Sequence, residues 1–307
     1  KQEEKSFWCK ADELLKLGID EISEEDMVTG VRSLNVMDKK TASDLGQELL
    51  NNAVKDARAN NVRVFQPGNT EYQRVKAISD RVIASSHYRN NSAVTYAVID
   101  YPSFGAFAYG GGTYVIYKGL MDATNDAELA YVIAHEIAHS SAGHIHEKLA
   151  LNWFKDKTGN KPPENFSKSL TNTTEQEADK IAVIYTALAG YDPCASATIW
   201  EKRKTSINDL AWVRTHPANP RRAATNRQWC ATAKQYWVPG QVNPNAEKLL
   251  KCNALYCNVS RDDMKSCSGG GVFAALEVLA DSYIKNQEAK KKSKRTKKDR
   301  PLRPEKS

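Results

Sequence analysis

No stretch of this chain approaches the roughly 18 consecutive apolar residues that a membrane-spanning helix requires. The best, Val272 to Ala280, is short and interrupted by Glu277. From Cys230 to about Asn286 no 34-residue repeat is present, so a tetratricopeptide extension is not supported there. Aromatic residues make up 8% of the chain and form no stacking motif or basic groove, so no nucleic-acid partner is expected. Histidine is scarce at six residues, yet four of the six fall between His135 and His146.

What is present is enough for a sizeable core: 307 residues, 41% of them apolar, suit one main domain with additions at both ends. The net charge of +7 is misleading as an average. Lys285 to Ser307 carries eleven Lys and Arg against three Asp and Glu, a net +8, which leaves the body at −1. Such a run reads as a solvated end, or as a peripheral contact with an anionic membrane surface, where about 1 kcal/mol per basic residue is available.

Six cysteines, Cys9, Cys194, Cys230, Cys252, Cys257 and Cys267, allow fifteen pairings. Four of them lie between Cys230 and Cys267 with no histidine near, which argues against a second metal site. Disulfides in a C-terminal appendage, and with them an oxidising compartment such as a periplasm, are the expectation; reduced buried thiols are the alternative. The first residue is Lys, which fits a removed signal peptide or a shortened chain.

The chemistry-bearing motif is His135-Glu136-Ile137-Ala138-His139, within an apolar pattern that predicts one helix from about Asp126 to His146. Asn125 and Glu128 have capping-box spacing, and Leu129, Ala130, Val132, Ile133, Ile137 and Ala138 are the apolar positions. Four helical residues turn the side chain by roughly 400°, so His135 and His139 share a face and can chelate one metal ion. Glu136, about 100° away, is placed to act on a zinc-activated water without being a ligand. The pentad alone also occurs in metal-free helices, so its context decides.

Catalytic zinc keeps three protein ligands, and Glu175 is the best third candidate. Thr174 and Glu177 have capping-box spacing, which predicts a helix starting there and running to Gly190, with Glu175 in its first turn. Asp179, one turn later, is placed to accept the other ring proton of a ligating histidine, His135. His144 and His146 are read as ordinary polar or packing residues and His87 as a surface residue. Lys155 to Asn172, polar and with Pro162-Pro163, is expected to be a mobile surface loop able to cover the cleft.

These residues resemble the M48 zinc metallopeptidases, whose pattern is His-Glu-x-x-His followed by Glu-x-x-Ala-Asp; here the second motif is Glu175-Gln176-Glu177-Ala178-Asp179. Gly105-Ala106-Phe107-Ala108-Tyr109-Gly110-Gly111-Gly112 is similar to the family's Asn-Ala-Phe-Ala-x-Pro-Gly-Gly segment, with Gly105 in place of Asn and Gly110 in place of Pro. Gly119-Leu120, His144, and Thr215-His216-Pro217 with Arg222 match further family segments. The resemblance covers about Thr41 to Trp229.

The resemblance implies an α+β, zincin-like metallopeptidase domain, mainly helical with a small β-sheet beside the active-site helix, plus the cysteine-rich C-terminal appendage. The segments are an N-terminal extension over 1–40, the catalytic domain over 41–229, the appendage over 230–286 and the basic tail over 287–307. One Zn²⁺ per chain is expected on His135, His139 and Glu175, with Glu136 as the base.

His216, biased to an extended loop by Pro217, is expected either to stabilise an oxyanion or to bind zinc as a fourth ligand and silence the site. Gly112, Thr113, Tyr114 and Val115 are the substrate-binding candidates: Thr113 to Tyr117 reads as a strand that would pair with a polypeptide substrate if it lies at a sheet edge, an internal strand being the alternative. The expected activity is endopeptidase cleavage of unfolded or misassembled polypeptides in an exported, periplasmic-type setting. The alternative is a chaperone-like binding factor on the same fold with a closed zinc site.

Overall fold

The computed structural model describes residues 23–25, 28, 32–34, 39–90, 94–145, 164–202, 216 and 220–251. Within them helices surround a small sheet. A two-stranded antiparallel ribbon, β1 (Ser23–Glu25) and β2 (Arg32–Leu34), precedes α1 (Lys39–Ala59) and α2 (Thr70–Ala84). Then come β3 (Thr95–Ile99), β4 (Ala106–Gly110), β5 (Thr113–Tyr117) and a short α3 (Lys118–Asp122). The chain continues through α4 (Asp126–Ser141), α5 (Glu164–Leu188), α6 (Ala195–Lys202), α7 (Pro220–Ala233), a 3₁₀ turn at Lys234–Tyr236 and α8 (Ala246–Lys251).

Helix α4 is the spine. Every residue from Glu128 to His139 is buried, as expected of a helix that is apolar nearly all round and packed on all sides. Its start is fixed by a reciprocal capping box: Glu128 N–H donates to Asn125 Oδ1 at 2.9 Å, and Asn125 N–H donates to Glu128 Oε2 at 3.1 Å. Helix α2 buries Val75, Ile78, Ser79 and Val82, the single face that a 3.6-residue period demands. The main core gathers Val75, Ile78 and Val82 with Val98, Tyr114 and Ile116 of the sheet, Leu129 to Ala134, Ile137 and Ala138 of α4 and Ile181 to Tyr185, Ala187 and Leu188 of α5.

The sheet order is β3-β5-β4, with β3 parallel and β4 antiparallel to β5. Thr113 to Tyr117 is therefore the central strand, and the edge-strand reading that made Gly112, Thr113, Tyr114 and Val115 substrate contacts is corrected. A run of Thr-Tyr-Val-Ile buried on both faces is what a fully paired strand carries. The outer side of β3 is covered, since Phe65 N–H donates to Val98 O and Asp100 N–H to Arg63 O. The remaining edge is β4.

Glycine makes the β4–β5 turn possible. Gly110, Gly111 and Gly112 all have positive φ, at 102°, 59° and 84°. Gly110 stands where the resembled pattern has proline, whose ring holds φ near −65° and could not follow this path. Helix α1 then packs directly on the turn: a Cβ on Gly111 would lie 2.4 Å from Ser43 Cα.

Three boundaries differ from expectation. Helix α4 stops at Ser141 because Gly143 takes a left-handed φ of 70° just past its end. Helix α5 starts at Glu164, just past the prolines, so residues 164–172 of the expected loop are helical and Thr174 lies inside the helix. The expected boundary at Cys230 falls inside α7. Cys230 is joined to Cys194 in a disulfide, and Ala246 and Leu250 of α8 belong to the main core. Residues 146–163, the expected helix at Ala11 to Leu17, Cys9, Cys252, Cys257, Cys267, the rest of the appendage and the basic tail lie outside the described residues.

Candidate active site

Helices α4 and α5 pack along each other and bring the two sequence motifs face to face. His135 and His139, one turn apart on α4, hold their rings nearly perpendicular, with Nε2 atoms 3.0 Å apart. Glu175 on α5 places Oε2 3.3 Å from His135 Nε2 and Oε1 3.4 Å from His139 Nε2. His216 joins them, and one donor atom from each of the four buried residues lies within 4.8 Å of the others.

These separations suit a metal. Zinc–nitrogen and zinc–oxygen bonds of about 2.0–2.2 Å in a tetrahedron put neighbouring donors about 3.3 Å apart. Both carboxylate oxygens of Glu175 are buried without a hydrogen-bond partner among the described residues. A buried carboxylate in that position is costly unless a cation completes it; the Arg222 guanidinium stands 3.4 Å from Oε2.

A polar network behind His135 orients the site. Asp179 Oδ1 lies 3.1 Å from His135 Nδ1, the contact anticipated from spacing. Arg222 grips the same carboxylate through Nε and Nη2 at 2.6 and 2.7 Å. Tyr131 Oη donates to Asp179 Oδ1 at 2.6 Å and Asn226 Nδ2 to Oδ2 at 3.2 Å. Trp200 Nε1 donates to Tyr131 Oη, and its ring lies 3.9 Å below the Arg222 guanidinium.

Burial alone would push the His135 imidazole down, but the Asp179 and Glu175 carboxylates outweigh it and hold it at about 9. For Glu175, burial would raise the carboxyl, yet His216, His135 and Arg222 hold it at about 2. Asp179 is likewise driven below the ordinary carboxylate range against its burial, chiefly by Arg222.

Glu136 sits on the side of α4 facing the sheet edge. Its Oε2 accepts from Ala108 N–H on β4 at 2.8 Å, and its Oε1 lies 3.5 Å from His216 Nε2. Tyr117 N–H donates to Gly105 O, so the odd residues of β4 face β5 and Ala106 and Ala108 turn their backbone groups outward. By contrast Tyr114 is buried and donates to Ser79 Oγ on α2, away from the site.

Two histidines depart from expectation. Because the chain turns at Gly143, His144 folds back: its Nδ1 is 3.0 Å from His139 Nδ1 and its Nε2 3.2 Å from Glu177 Oε2. The glycine two residues past the helix end was the available signal. His87 is mostly buried, with Nδ1 2.6 Å from Tyr185 Oη. Tyr131, Trp200 and Asn226 were missed as well. Tyr131 four residues before His135 and Asn226 four after Arg222 are same-face spacings, but only the tertiary contact gives them meaning.

Among the described residues no helix is long and apolar enough to cross a membrane. The description of peptidase family M48 matches residues 69–155 and 163–230. Mitochondrial metalloendopeptidase OMA1 of Schizosaccharomyces pombe is 27% identical over 186 residues, 52% of this chain and 53% of that protein. Its Arabidopsis thaliana namesake is 30% identical over 142 residues, 41% of this chain and 29% of that one. Metalloprotease LoiP of Escherichia coli is 26% identical over 183 residues, 51% of this chain and 70% of that protein. The chain thus spans only about a third to a half of the two OMA1 proteins.

Proposed function

The chain belongs to peptidase family M48, and from that premise we propose that it is a zinc-dependent endopeptidase acting on unfolded or misassembled polypeptides. The observation that carries this is the convergence of His135 Nε2, His139 Nε2 and the Glu175 carboxylate at tetrahedral spacing, with the Glu136 carboxylate beside them. His135, His139 and Glu175 would hold one zinc ion. Zinc so held supplies Lewis-acid polarisation of a carbonyl and makes water a stronger acid.

The chain's own groups do the rest. Glu136 takes the proton of the attacking water and returns it to the leaving amine nitrogen. Asp179, held by Arg222, Tyr131 and Asn226, fixes the His135 ring with Nε2 facing the site. His216, 3.5 Å from Glu136, is placed to donate to the oxygen on which charge develops. An extended substrate would pair with the outward backbone groups of Ala106 and Ala108 on β4, displacing Glu136 from Ala108 N–H.

The Cys194–Cys230 disulfide supports an oxidising, exported setting for work on envelope proteins. The name of one relative, the Beta-barrel assembly-enhancing protease of Yersinia pestis, supports work on envelope proteins.

A second reading rests on one distance. The His216 donor stands within 4.8 Å of the three ligand candidates, close enough to complete a closed site in which polypeptide binding is the main activity. Casein digestion by wild type, Glu136→Gln and His216→Ala separates the two. Cleavage by wild type that disappears in Glu136→Gln, with zinc retained, supports the peptidase. Silence in wild type that His216→Ala relieves supports the closed state, and silence in both sinks the peptidase assignment.

A further inference from the structure

The site has a second polar support, which reaches His139 as Asp179 reaches His135. His139 must present an unprotonated Nε2 to any cation shared with His135 and Glu175. A neutral imidazole has one proton, so that proton sits on Nδ1. Nδ1 faces His144 Nδ1 at 3.0 Å. Two such nitrogens can bond only if one donates and the other accepts, so His144 Nδ1 bears the lone pair and its own proton is on Nε2. That nitrogen is 3.2 Å from Glu177 Oε2, a carboxylate oxygen able to accept it. Every link in the row Glu177, His144, His139 therefore runs in one direction, away from the site. His144 is buried at 1% side-chain exposure, while Glu177 is at 37%, so the row is anchored where the carboxylate meets solvent.

We propose that His144, oriented by Glu177, is a positioning residue that fixes the tautomer and ring plane of His139 and thereby sets the metal affinity of the site. This rests on the metallopeptidase reading of that site. The arrangement mirrors Asp179 behind His135, with an imidazole inserted between ligand and carboxylate. The insertion is possible because Gly143 turns the chain back at a left-handed φ of 70°; a helix continued past Ser141 would carry the fifth residue after His139 off the ligand face. Glu177, two residues past Glu175 on α5, is placed by the same helix that supplies the carboxylate ligand. Neither residue touches the reacting atoms, so neither is catalytic.

The test measures zinc affinity of the full chain by competition with a chromophoric chelator. Its companion is the visible absorption of the cobalt-substituted protein, which reports the ligand field directly. His144→Leu removes the acceptor and should weaken zinc binding by about 10–100-fold and shift the cobalt bands. His144→Asn places an amide oxygen where Nδ1 was and should stay within about threefold of wild type.

A coupling measurement guards against misfolding of the leucine variant. Glu177→Leu should weaken zinc several-fold in the wild-type background and have no effect in the His144→Asn background, where the row is already cut beyond the acceptor. Wild-type affinity and an unshifted cobalt spectrum in His144→Leu, or an equal Glu177→Leu effect in both backgrounds, overturns the inference while leaving the zinc site intact. A wild-type chain that binds no zinc overturns the site reading and this inference with it.

Discussion

Arg222→Leu is the most demanding perturbation of the buried network. Its guanidinium holds Asp179 through two hydrogen bonds of 2.6 and 2.7 Å, stands 3.4 Å from Glu175 and stacks on Trp200 at 3.9 Å. Both carboxylates are 2% exposed or less, so water cannot replace the lost cation. Removing one partner of such a buried pair costs about 3–5 kcal/mol, because the other charge is left uncompensated. In a body of this size that lowers the melting temperature by roughly 6–20 °C.

The leucine variant should show a second signature. In wild type Asp179 is held below its ordinary value, so its contribution is present at neutral pH and lost as pH falls through the folded-state value. Without Arg222 that carboxyl rises, and acid unfolding moves to higher pH. Urea titrations of the metal-free protein between pH 4 and pH 7 measure both effects. A loss under 1 kcal/mol at pH 7 with an unmoved acid limb would refute the network's role. Arg222→Lys should recover little, since an ammonium cannot make the paired contact.

Three further outcomes follow from other parts of the molecule. The metal-free chain gains stability from His135, whose folded value of about 9 exceeds its ordinary 6.5; that gain is full below pH 6.5 and lost as pH rises through about 9, which urea unfolding at pH 6 and pH 9.5 checks. His87, pushed down to about 4 chiefly by burial, acts in the opposite sense. Its contribution is full above pH 6.5 and fades as pH falls toward 4, by up to about 3 kcal/mol, and His87→Gln should flatten that part of the stability profile. Gly111→Ala combines a left-handed φ with a Cβ 2.4 Å from Ser43 Cα, so it should cost on the order of 2–4 kcal/mol in thermal unfolding, whereas Gly68→Ala, with open space around it, should cost far less.

The site was readable from the sequence to the extent that helical period determines it. His135 and His139 four apart, Glu175 and Asp179 four apart, and the Asn125–Glu128 cap are local relations, and local geometry carried them into place. What escaped depends on what packs against what. Whether Thr113 to Tyr117 is edge or centre is decided by β3 and β4, which pair with its two sides, and neither alters the strand's own pattern. The Thr174–Glu177 spacing is a valid cap signal, yet the helix propagates through it from Glu164, because an interior threonine costs less than the helical turns preceding it contribute. His144 was misplaced by extending one helix past a glycine that ends it, and with it the contact to His139 was lost.

X-ray absorption at the zinc edge, on the zinc-loaded chain, tests the central claim most directly. The account predicts one zinc per chain in a shell of nitrogen and oxygen at about 2.0–2.2 Å, with imidazole scattering from at least two rings, and a weakened, altered shell in Glu175→Ala. Sulfur at about 2.3 Å, or a Glu175→Ala chain that binds zinc with an unchanged shell, would contradict it.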